Sequence, residues 1–507
     1  MQENLSLSSL LDFLSPVLIN CENESSFPVS IRGITSNSAN VEKDFIFCAV
    51  EGASFDGHDY IFQALEKGAK VIIHTHGEGI PENTVSIKVT DSRYAWALCS
   101  SFFYGNPAEK LNTYAVTGTN GKTSIAFMVK KLLESAKGEK SGLVSTVEYD
   151  CGDSSRILEG VRTTPDAMLL QDFFAKMVEN NCRNCVMEAS SHGLHQKRMG
   201  NTLFAGAIFT NLTGDHLDYH KTMENYYQAK KLLFTDHIRE NAPCVINIDD
   251  VWGKRLADEL KEAGKKELFK GKVLTLSCRE KEADAYIEVK KLSAEGSFFS
   301  LIFEKKVYDL SPRLIGLHNI YNAAESFLLA IACGADAGKA VQILQQRNIA
   351  PPGRLEGFFL PSGAGVFVDY AHTDDALARV LESLVPLKEK RLLTLFGCGG
   401  DRDRTKRPRM ALAASRFSDM VMVTSDNPRT EEPSSIIEDI VKGFPEDFVP
   451  LVEVDRGKAI EKLLSMGEKG DIILIAGKGH ENYQESNGVK SYFDDRDEVR
   501  KYIKSHE

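Results

Sequence analysis

The chain of 507 residues is long enough for about three domains of ordinary size, and a composition 42% hydrophobic and 26% charged is that of a globular protein, not a disordered or fibrous one. A formal net charge of −11 gives no support to nucleic-acid or anionic-membrane binding, so small molecules are the expected partners. Met1-Gln2-Glu3-Asn4 lacks a basic start, no run approaches the ~18 apolar residues that span a bilayer, and the cysteines sit scattered in apolar runs, which together predict a cytoplasmic chain with reduced thiols.

The first ~110 residues mix short strands and helices, and Asn106-Pro107 reads as a linker. A strand is predicted over 114–117 and a helix over 125–133, and between them runs Thr117-Gly118-Thr119-Asn120-Gly121-Lys122-Thr123-Ser124. That is the setting of a phosphate-binding loop. Its glycines admit phosphate oxygens to backbone N–H groups at a helix N-terminus, Lys122 can bridge the terminal phosphates, and the Thr123 hydroxyl can ligate Mg²⁺. The usual pattern has one more glycine where this chain has Val116, so the loop is a shortened variant.

Further along, strands over 184–188, 207–211 and 244–248, with a helix over 223–234, predict βα units on a parallel sheet. From 272 to 310 the pattern alternates like hairpins, an expected antiparallel flap. Cys182-Arg183-Asn184-Cys185 has no second pair at zinc-site spacing and leads into a strand, so it reads as core. Pro351-Pro352-Gly353 marks a boundary, and strands over 366–370, 392–396, 420–424 and 472–476 predict a second α/β unit. The fold class is α/β, with domains placed at 1–110, 111–349 and 350–507.

The chemistry is expected at strand ends. Glu188-Ala189-Ser190-Ser191-His192 follows one strand and Asn211-Leu212-Thr213-Gly214-Asp215-His216 the next. If these strands flank the phosphate-loop strand, Glu188, His216 and Thr123 become Mg²⁺ ligands, although a histidine at a helix start is often satisfied by backbone alone. In the last unit, Arg402 follows Gly397, Gly399 and Gly400, and Ser425-Asp426-Asn427-Pro428-Arg429 follows the next strand. Arg402 and Arg429 can grip a carboxylate bidentately, while Asn-Pro is also an ordinary turn signal.

Thr117 to Thr123, Met187-Glu188-Ala189-Ser190-Ser191-His192-Gly193-Leu194, Asp215-His216-Leu217-Asp218-Tyr219-His220 and Asn319-Ile320-Tyr321-Asn322 resemble the signatures of the Mur ligases of peptidoglycan synthesis. The nearest branch adds the third residue of the stem peptide, and similar signatures run from Thr35 to Arg496. The resemblance implies three domains: a small α/β domain binding the uridine nucleotide, a central P-loop ATPase-type parallel sheet, and a C-terminal dinucleotide-fold (Rossmann-like) domain that delivers the amino acid. It implies an ATP-dependent, ADP-forming acid–amino-acid ligase joining meso-diaminopimelate to UDP-N-acetylmuramoyl-L-Ala-D-Glu through an acyl phosphate, probing no nucleic acid or membrane and working as a monomer. A sister ligase using L-lysine, a P-loop kinase or GTPase, and a non-catalytic nucleotide-binding scaffold are the alternatives. A scaffold is expected to lose Lys122, Glu188 or Lys230, and all three are present.

Carried over position by position, Lys122, Glu188, His216 and Lys230 are implied for catalysis. Gly118, Thr119, Asn120, Gly121, Lys122, Thr123, Ser124, Asn319, Asn322 and His372 are implied to hold ATP. Thr123, Glu188, His216 and Lys230 would hold Mg²⁺, the lysine as a CO₂-derived carbamate, whereas a lysine on an amphipathic helix is by default a surface group. Asn319 and Asn322 equally suit helix capping. Ser38, Thr163, Thr164, Ser190, Gln196 and Arg198 are implied to hold the muramoyl dipeptide, and Arg402, Asp426, Asn427, Pro428, Arg429, Gly477 and Glu481 the diaminopimelate. Thr35-Ser36-Asn37-Ser38-Ala39 departs from the family's Thr-x-Asp-Ser-Arg, and Asp374 replaces a usual proline, a change expected to loosen that turn.

Overall fold

The computed structural model describes residues 6–27, 31–52, 55–77, 79–153, 158–160, 162–293, 296–346, 349 and 351–506. Packing divides the chain into two compact units, Met1–Tyr286 with Glu325–Ala340, and Ile287–Ala324 with Val341–Glu507. No helix among the described residues is long and apolar enough to cross a membrane. All ten cysteines are free, and most are buried.

The first unit begins with a five-stranded sheet in the order Leu18–Glu22, Val85–Val89, Val71–His74, Phe45–Cys48, Gly33–Thr35. Period-two alternation splits it between two cores. Ile46, Cys48, Val71 and Ile73 pack under the helices Leu7–Leu14 and Ser92–Phe103, while Phe47 and Ile72 face Ile61 and Ala64 on the helix Ile61–Glu66.

The sheet that follows places Asn112–Thr117 between Asn184–Glu188 and Gly206–Phe209, all parallel. Glu188 stands opposite Val116 and Phe209 opposite Thr117, so the three strands deliver their following loops to one edge. Ser141–Val144 extends the sheet on one side, and Pro243–Asn247 with Lys272–Ser277 on the other. The helix Lys122–Leu132 leaves the phosphate loop and Met223–Asp236 packs nearby, its Tyr226, Tyr227, Leu233 and Phe234 in the main core.

The expected antiparallel flap over 272–310 holds for Gly296–Phe303 with Lys306–Leu310 and is corrected for its first part. Lys272–Ser277 runs parallel to Pro243–Asn247, and Ala285 and Tyr286 pair parallel to Leu276 and Ser277. The helix Val251–Lys265 between the first two strands makes a crossover, which returns the chain in the same direction, and apolar alternation cannot tell such an edge from a hairpin. Antiparallel pairing of Gly296–Phe303 with Lys306–Leu310 belongs to the second unit.

The second unit carries a six-stranded sheet ordered Glu356–Phe359, Gly365–Asp369, Ile472–Ala476, Leu392–Phe396, Met420–Val423, Leu451–Val452, parallel except for its first strand. One face packs Phe367, Phe396 and Leu474 against Leu377, Leu381 and Met410, and the other packs Leu393, Ile473 and Ile475 against Ile460, Leu463 and Val499. Helices on both faces leave the carboxyl ends of the strands as the crevice where open α/β sheets hold ligands.

Candidate active site

The phosphate loop has a backbone only glycine can supply. Gly118 has φ +145° and Gly121 φ +90°, and a Cβ on Gly118 would stand 1.9 Å from Thr210 Oγ1. The loop is stitched to the 210–213 segment: Thr119 N donates to Asn211 O (2.8 Å), Asn120 N to Asn211 Oδ1 (3.1 Å), Thr210 Oγ1 to Asn120 O (2.6 Å) and Thr213 N to Thr119 Oγ1 (3.0 Å). Lys122 Nζ folds back to donate to Gly118 O at 3.0 Å and Thr119 O at 2.8 Å, which holds its ammonium at the loop. Thr123 is buried and Ser124 half-buried on the first helical turn, where no side chain caps the helix, the setting in which a helix N-terminus suits an anion.

Glu188 is fully buried at its strand end. Its carboxylate accepts from Thr146 N at 2.9 Å and lies 3.2 Å from Thr146 Oγ1, which is 3.1 Å from Thr163 Oγ1. Lys230, against the surface default, is 1% exposed: Nζ donates to Gly118 O at 2.8 Å and stands 4.6 Å from the Tyr226 ring. Burial, helped by the like charge of Lys122 and opposed by Asp215, pushes its ammonium well below the ordinary lysine range. Lys231 next door pairs with Glu259 at 2.8 Å on the outer side. His216 is exposed, in the left-handed region at φ +54°, with its ring 4.9 Å from that of His192 and 6.2 Å from that of Tyr226. Its backbone N–H donates to Asp215 Oδ1 at 2.8 Å, and its imidazole Nε2 lies 3.5 Å from the other oxygen of the same carboxylate.

Of the positions implied for the muramoyl peptide, Thr163, Thr164, Ser190, Gln196 and Arg198 form one hydrogen-bonded group with Glu188, and Ser38 lies in the N-terminal region. Thr164 Oγ1 donates to Glu188 O (2.8 Å) and accepts from Ser190 N (3.0 Å), while Arg198 Nη1 donates to Thr164 O (2.6 Å) and Nη2 to Gln196 Oε1 (2.7 Å). Ser190 Oγ accepts from Gly193 N, so it is also a helix cap. Burial and the neighbouring Arg162 push the Arg198 guanidinium below its usual value, a cost an anionic ligand would relieve. Sequence reasoning missed Thr146, which comes from a distant loop with no motif, and Tyr226, whose hydroxyl lies 3.3 Å from Thr119 Oγ1. It also passed over His220, bound to Ser191 Oγ at 2.9 Å and lowered to about 4 by burial and by His192 and His195.

In the N-terminal sheet, Ser38 donates to Gln63 Oε1 at 2.6 Å in a pocket of about 460 Å³ that Asn37, Phe55 and Tyr60 also line. Asp56, His58 and His76 gather nearby, but Thr75 N donates to His58 Nε2 at 3.1 Å while His58 Nδ1 meets Asp56 Oδ1 at 2.5 Å. Both ring nitrogens of His58 are therefore taken, and it is a hydrogen-bonded strut.

The second unit builds its own site. Asp369 is buried and accepts from Leu355 N and Ala371 N at 2.8 Å each, while His372 Nδ1 donates to Tyr370 O at 2.9 Å. Asp374 does not loosen the turn: Thr373 caps the helix by accepting from Ala376 N, and the Asp374 carboxylate sits in the first turn, where the helix dipole favours it. Asn319 and Asn322 are buried in the first turns of the helix Leu317–Ala332, where Asn319 donates to Ile315 O (2.9 Å) and Asn322 to Asn319 Oδ1 (3.0 Å).

Gly399 lies between the two candidate arginines, since a Cβ there would meet Arg429 Nη1 at 2.9 Å and Arg402 Cγ at 3.9 Å. Pro428 O comes so close to Gly400 that a Cβ there would stand 1.9 Å away, and Gly477, at φ +120°, would drive one to 2.7 Å from Asp426 Oδ2. Asn427 Nδ2 donates to Glu481 Oε2 at 2.9 Å. Arg429, in the left-handed region at φ +51°, donates to Gly400 O (2.8 Å) and pairs with Glu485 (3.4 Å), a carboxylate the sequence reading did not foresee.

A shortened phosphate loop on a parallel sheet, with a buried carboxylate on the neighbouring strand end and a separate doubly wound unit, defines a nucleotide-dependent enzyme of α/β class. The particular family follows from comparison. Residues 30–96 match the model described as "Mur ligase family, catalytic domain", 116–330 "Mur ligase middle domain", and 353–479 "Mur ligase, glutamate ligase domain". A Clostridium tetani protein named UDP-N-acetylmuramoyl-L-alanyl-D-glutamate--2,6-diaminopimelate ligase is 41% identical over 94% of this chain and 95% of its own. One of the same name from Aquifex aeolicus is 40% identical over 93% and 94%. A solved structure of that name superposes with TM-score 0.72 at 32% identity over 99% of each chain. The chain belongs to the Mur ligase family. A MurF ligase from Thermotoga maritima in complex with ADP, at 18% identity and TM-score 0.52, shares the fold.

Proposed function

We propose that this chain is the ligase that joins meso-diaminopimelate to UDP-N-acetylmuramoyl-L-Ala-D-Glu, with ATP cleaved to ADP and phosphate. The observation that carries the reading is the shared strand end: the Thr164 hydroxyl binds Glu188 O and Arg198 binds Thr164 O, while the Glu188 strand pairs with the phosphate-loop strand at Val116. A carboxylate is a poor acyl donor because oxide would have to leave. In the first step an oxygen of the D-Glu carboxylate attacks the γ-phosphorus and the bond to ADP breaks; in the second the amine attacks the acyl carbon and phosphate leaves. No covalent enzyme nucleophile is needed, so Ser190 and Ser191 serve binding and capping.

Two anions must meet in the first step, so positive charge has to be concentrated there. Lys122 offers its ammonium at the loop, and Arg198 orients the peptide. Thr123, Glu188 and His216 present two oxygens and an imidazole nitrogen, donor chemistry that suits Mg²⁺ beside phosphate, and that ion supplies charge neutralisation when bound. The same site gives Lys230 its role. Held below its usual pKa, its neutral amine can take up CO₂ with loss of a proton, and the carbamate replaces a buried cation with an anionic oxygen donor. Arg429 and Arg402, flanking Gly399, suit the distal carboxylate of the diamino acid and Glu481 its ammonium; Glu485 keeps Arg429 paired until that carboxylate arrives.

The test is phosphate release with ATP, Mg²⁺ and the UDP-muramoyl dipeptide, comparing meso-diaminopimelate, L-lysine, ornithine and no amino acid. Release with diaminopimelate alone, with the UDP-tripeptide seen by mass spectrometry, is expected. Equal use of lysine would remove the specificity reading, and no turnover with any amino acid would remove the reaction.

A further inference from the structure

Between the two groups proposed to meet the amino acid lies a buried cation that no substrate explains. Lys478 is 0% exposed, with Nζ 3.0 Å from Asn427 Oδ1 and 3.4 Å from Glu481 Oε2, and 5.6 Å from the centre of the Tyr483 ring. Asn427 is oriented twice over: its Oδ1 accepts from Lys478 and from Glu485 N (3.0 Å), which turns Nδ2 toward Glu481 Oε2 (2.9 Å). The hydrogen bonds from Asn427 and Lys478 both fall on Oε2 of Glu481, and its side chain keeps 16% of its surface exposed.

We infer that Lys478 is a positioning residue for the amino-acid site, an internal counter-cation that keeps Glu481 ionised and turned so that its other oxygen receives the ammonium of the incoming diamino acid. This rests on the reading of that loop given above. Burial of an ammonium is costly unless the ion is paired, so a lysine that only filled space here would be a poor choice beside an apolar one. The charged and titratable groups facing Glu481 come from four places: Lys478 on its own loop, Asp426 after the strand Met420–Val423, Arg456 at the start of the helix Arg456–Ser465, and the neutral phenol of Tyr370 after Gly365–Asp369. Arg456 is already committed, donating to both Asp495 oxygens and to Ser425 O and Ala476 O, so it ties the two recognition loops together but leaves Glu481 to Lys478. Burial raises the Glu481 carboxyl, with Asp426 adding to the rise and Lys478 opposing it. Without that opposition the carboxyl would take up a proton at higher pH and offer the substrate ammonium a neutral acid.

The experiment measures KM for all three substrates in wild type, Lys478→Met, Glu481→Gln and the double variant between about pH 6 and 9, with unfolding followed alongside. In Lys478→Met the amino-acid KM is expected to rise about tenfold, and further as pH falls, while KM for ATP and for the nucleotide substrate stays within about twofold. The double variant is expected to be no worse than Glu481→Gln alone, because the lysine acts through that carboxylate. An unchanged amino-acid KM in Lys478→Met, full additivity in the double variant, or an equal rise in all three KM values with lost stability would overturn the inference. Should Lys478→Met fail to fold, wild type decides: a flat amino-acid KM down to about pH 6 is expected, and a rise that begins well above that pH overturns it. If Glu481→Gln itself leaves the amino-acid KM untouched, the fault lies in the reading of the loop as the amino-acid site.

Discussion

Replacing Lys230 by Met should separate stability from activity. The Lys230 Nζ donates a hydrogen bond to Gly118 O at 2.8 Å and faces the Tyr226 ring at 4.6 Å. Losing that bond costs about 1 kcal/mol, and a methionine of similar volume adds less than about 1.5 kcal/mol of misfit. Against this stands the burial of an ionisable amine, a penalty of several kcal/mol for its charged form that Asp215 offsets only in part. The balance leaves the variant as stable as wild type to within about 1 kcal/mol, or more stable. Activity should fall by about 10²–10³-fold, the usual effect of removing one preorganised electrostatic partner. Urea unfolding and phosphate release measure the two sides. Wild type in CO₂-depleted buffer should lose activity and regain it with bicarbonate, and the variant should ignore bicarbonate. A variant that keeps most of its activity, or that loses more than about 3 kcal/mol of stability, would refute the reasoning.

Gly118→Ala should raise KM for ATP at least about tenfold or leave the protein insoluble, because its Cβ would stand 1.9 Å from Thr210 Oγ1 at a φ of +145°; ATP titration of the purified variant checks it. Arg429→Met should raise KM for the amino acid by about 10–100-fold and narrow the preference for diaminopimelate over lysine, read from kcat/KM for each. Glu259 is opposed by burial but is carried down to about 2 by hydrogen bonds from Lys231, Tyr227 and Arg255. A depressed carboxyl stabilises the fold above its unfolded pKa, so Glu259→Gln should cost about 1 kcal/mol at neutral pH. That difference should shrink as pH falls from about 4.5 toward about 2, followed by urea unfolding at each pH.

The phosphate loop was legible because its chemistry is local: glycines, a lysine and a threonine at fixed spacing between a strand and a helix need no distant partner. Strand positions such as 184–188 and 392–396 were legible for the same reason, being short apolar runs with turn residues at each end. Lys230 and Lys231 show where legibility stops. They are neighbours in sequence, yet a helix turns about 100° per residue, and that rotation sends one under the phosphate loop and the other to Glu259. Thr146 could not be read because it reaches Glu188 across 42 residues of chain with no motif of its own. The partner of Arg429 was hidden too, since the polar hairpin Tyr483–Ser486 with Val489–Tyr492 lacks the apolar alternation that marks a strand.

Glu188 occupies two circuits at once. Its carbonyl oxygen receives Thr164, which also holds Ser190, and its carboxylate receives Thr146, whose hydroxyl touches Thr163. Both circuits end on the 146 and 163–164 segments, so Glu188 ties two separate loops to the strand that pairs with the phosphate-loop strand. Replacing the Glu188 carboxylate would release Thr146 as well as any ligand, so such a variant tests scaffold and chemistry together.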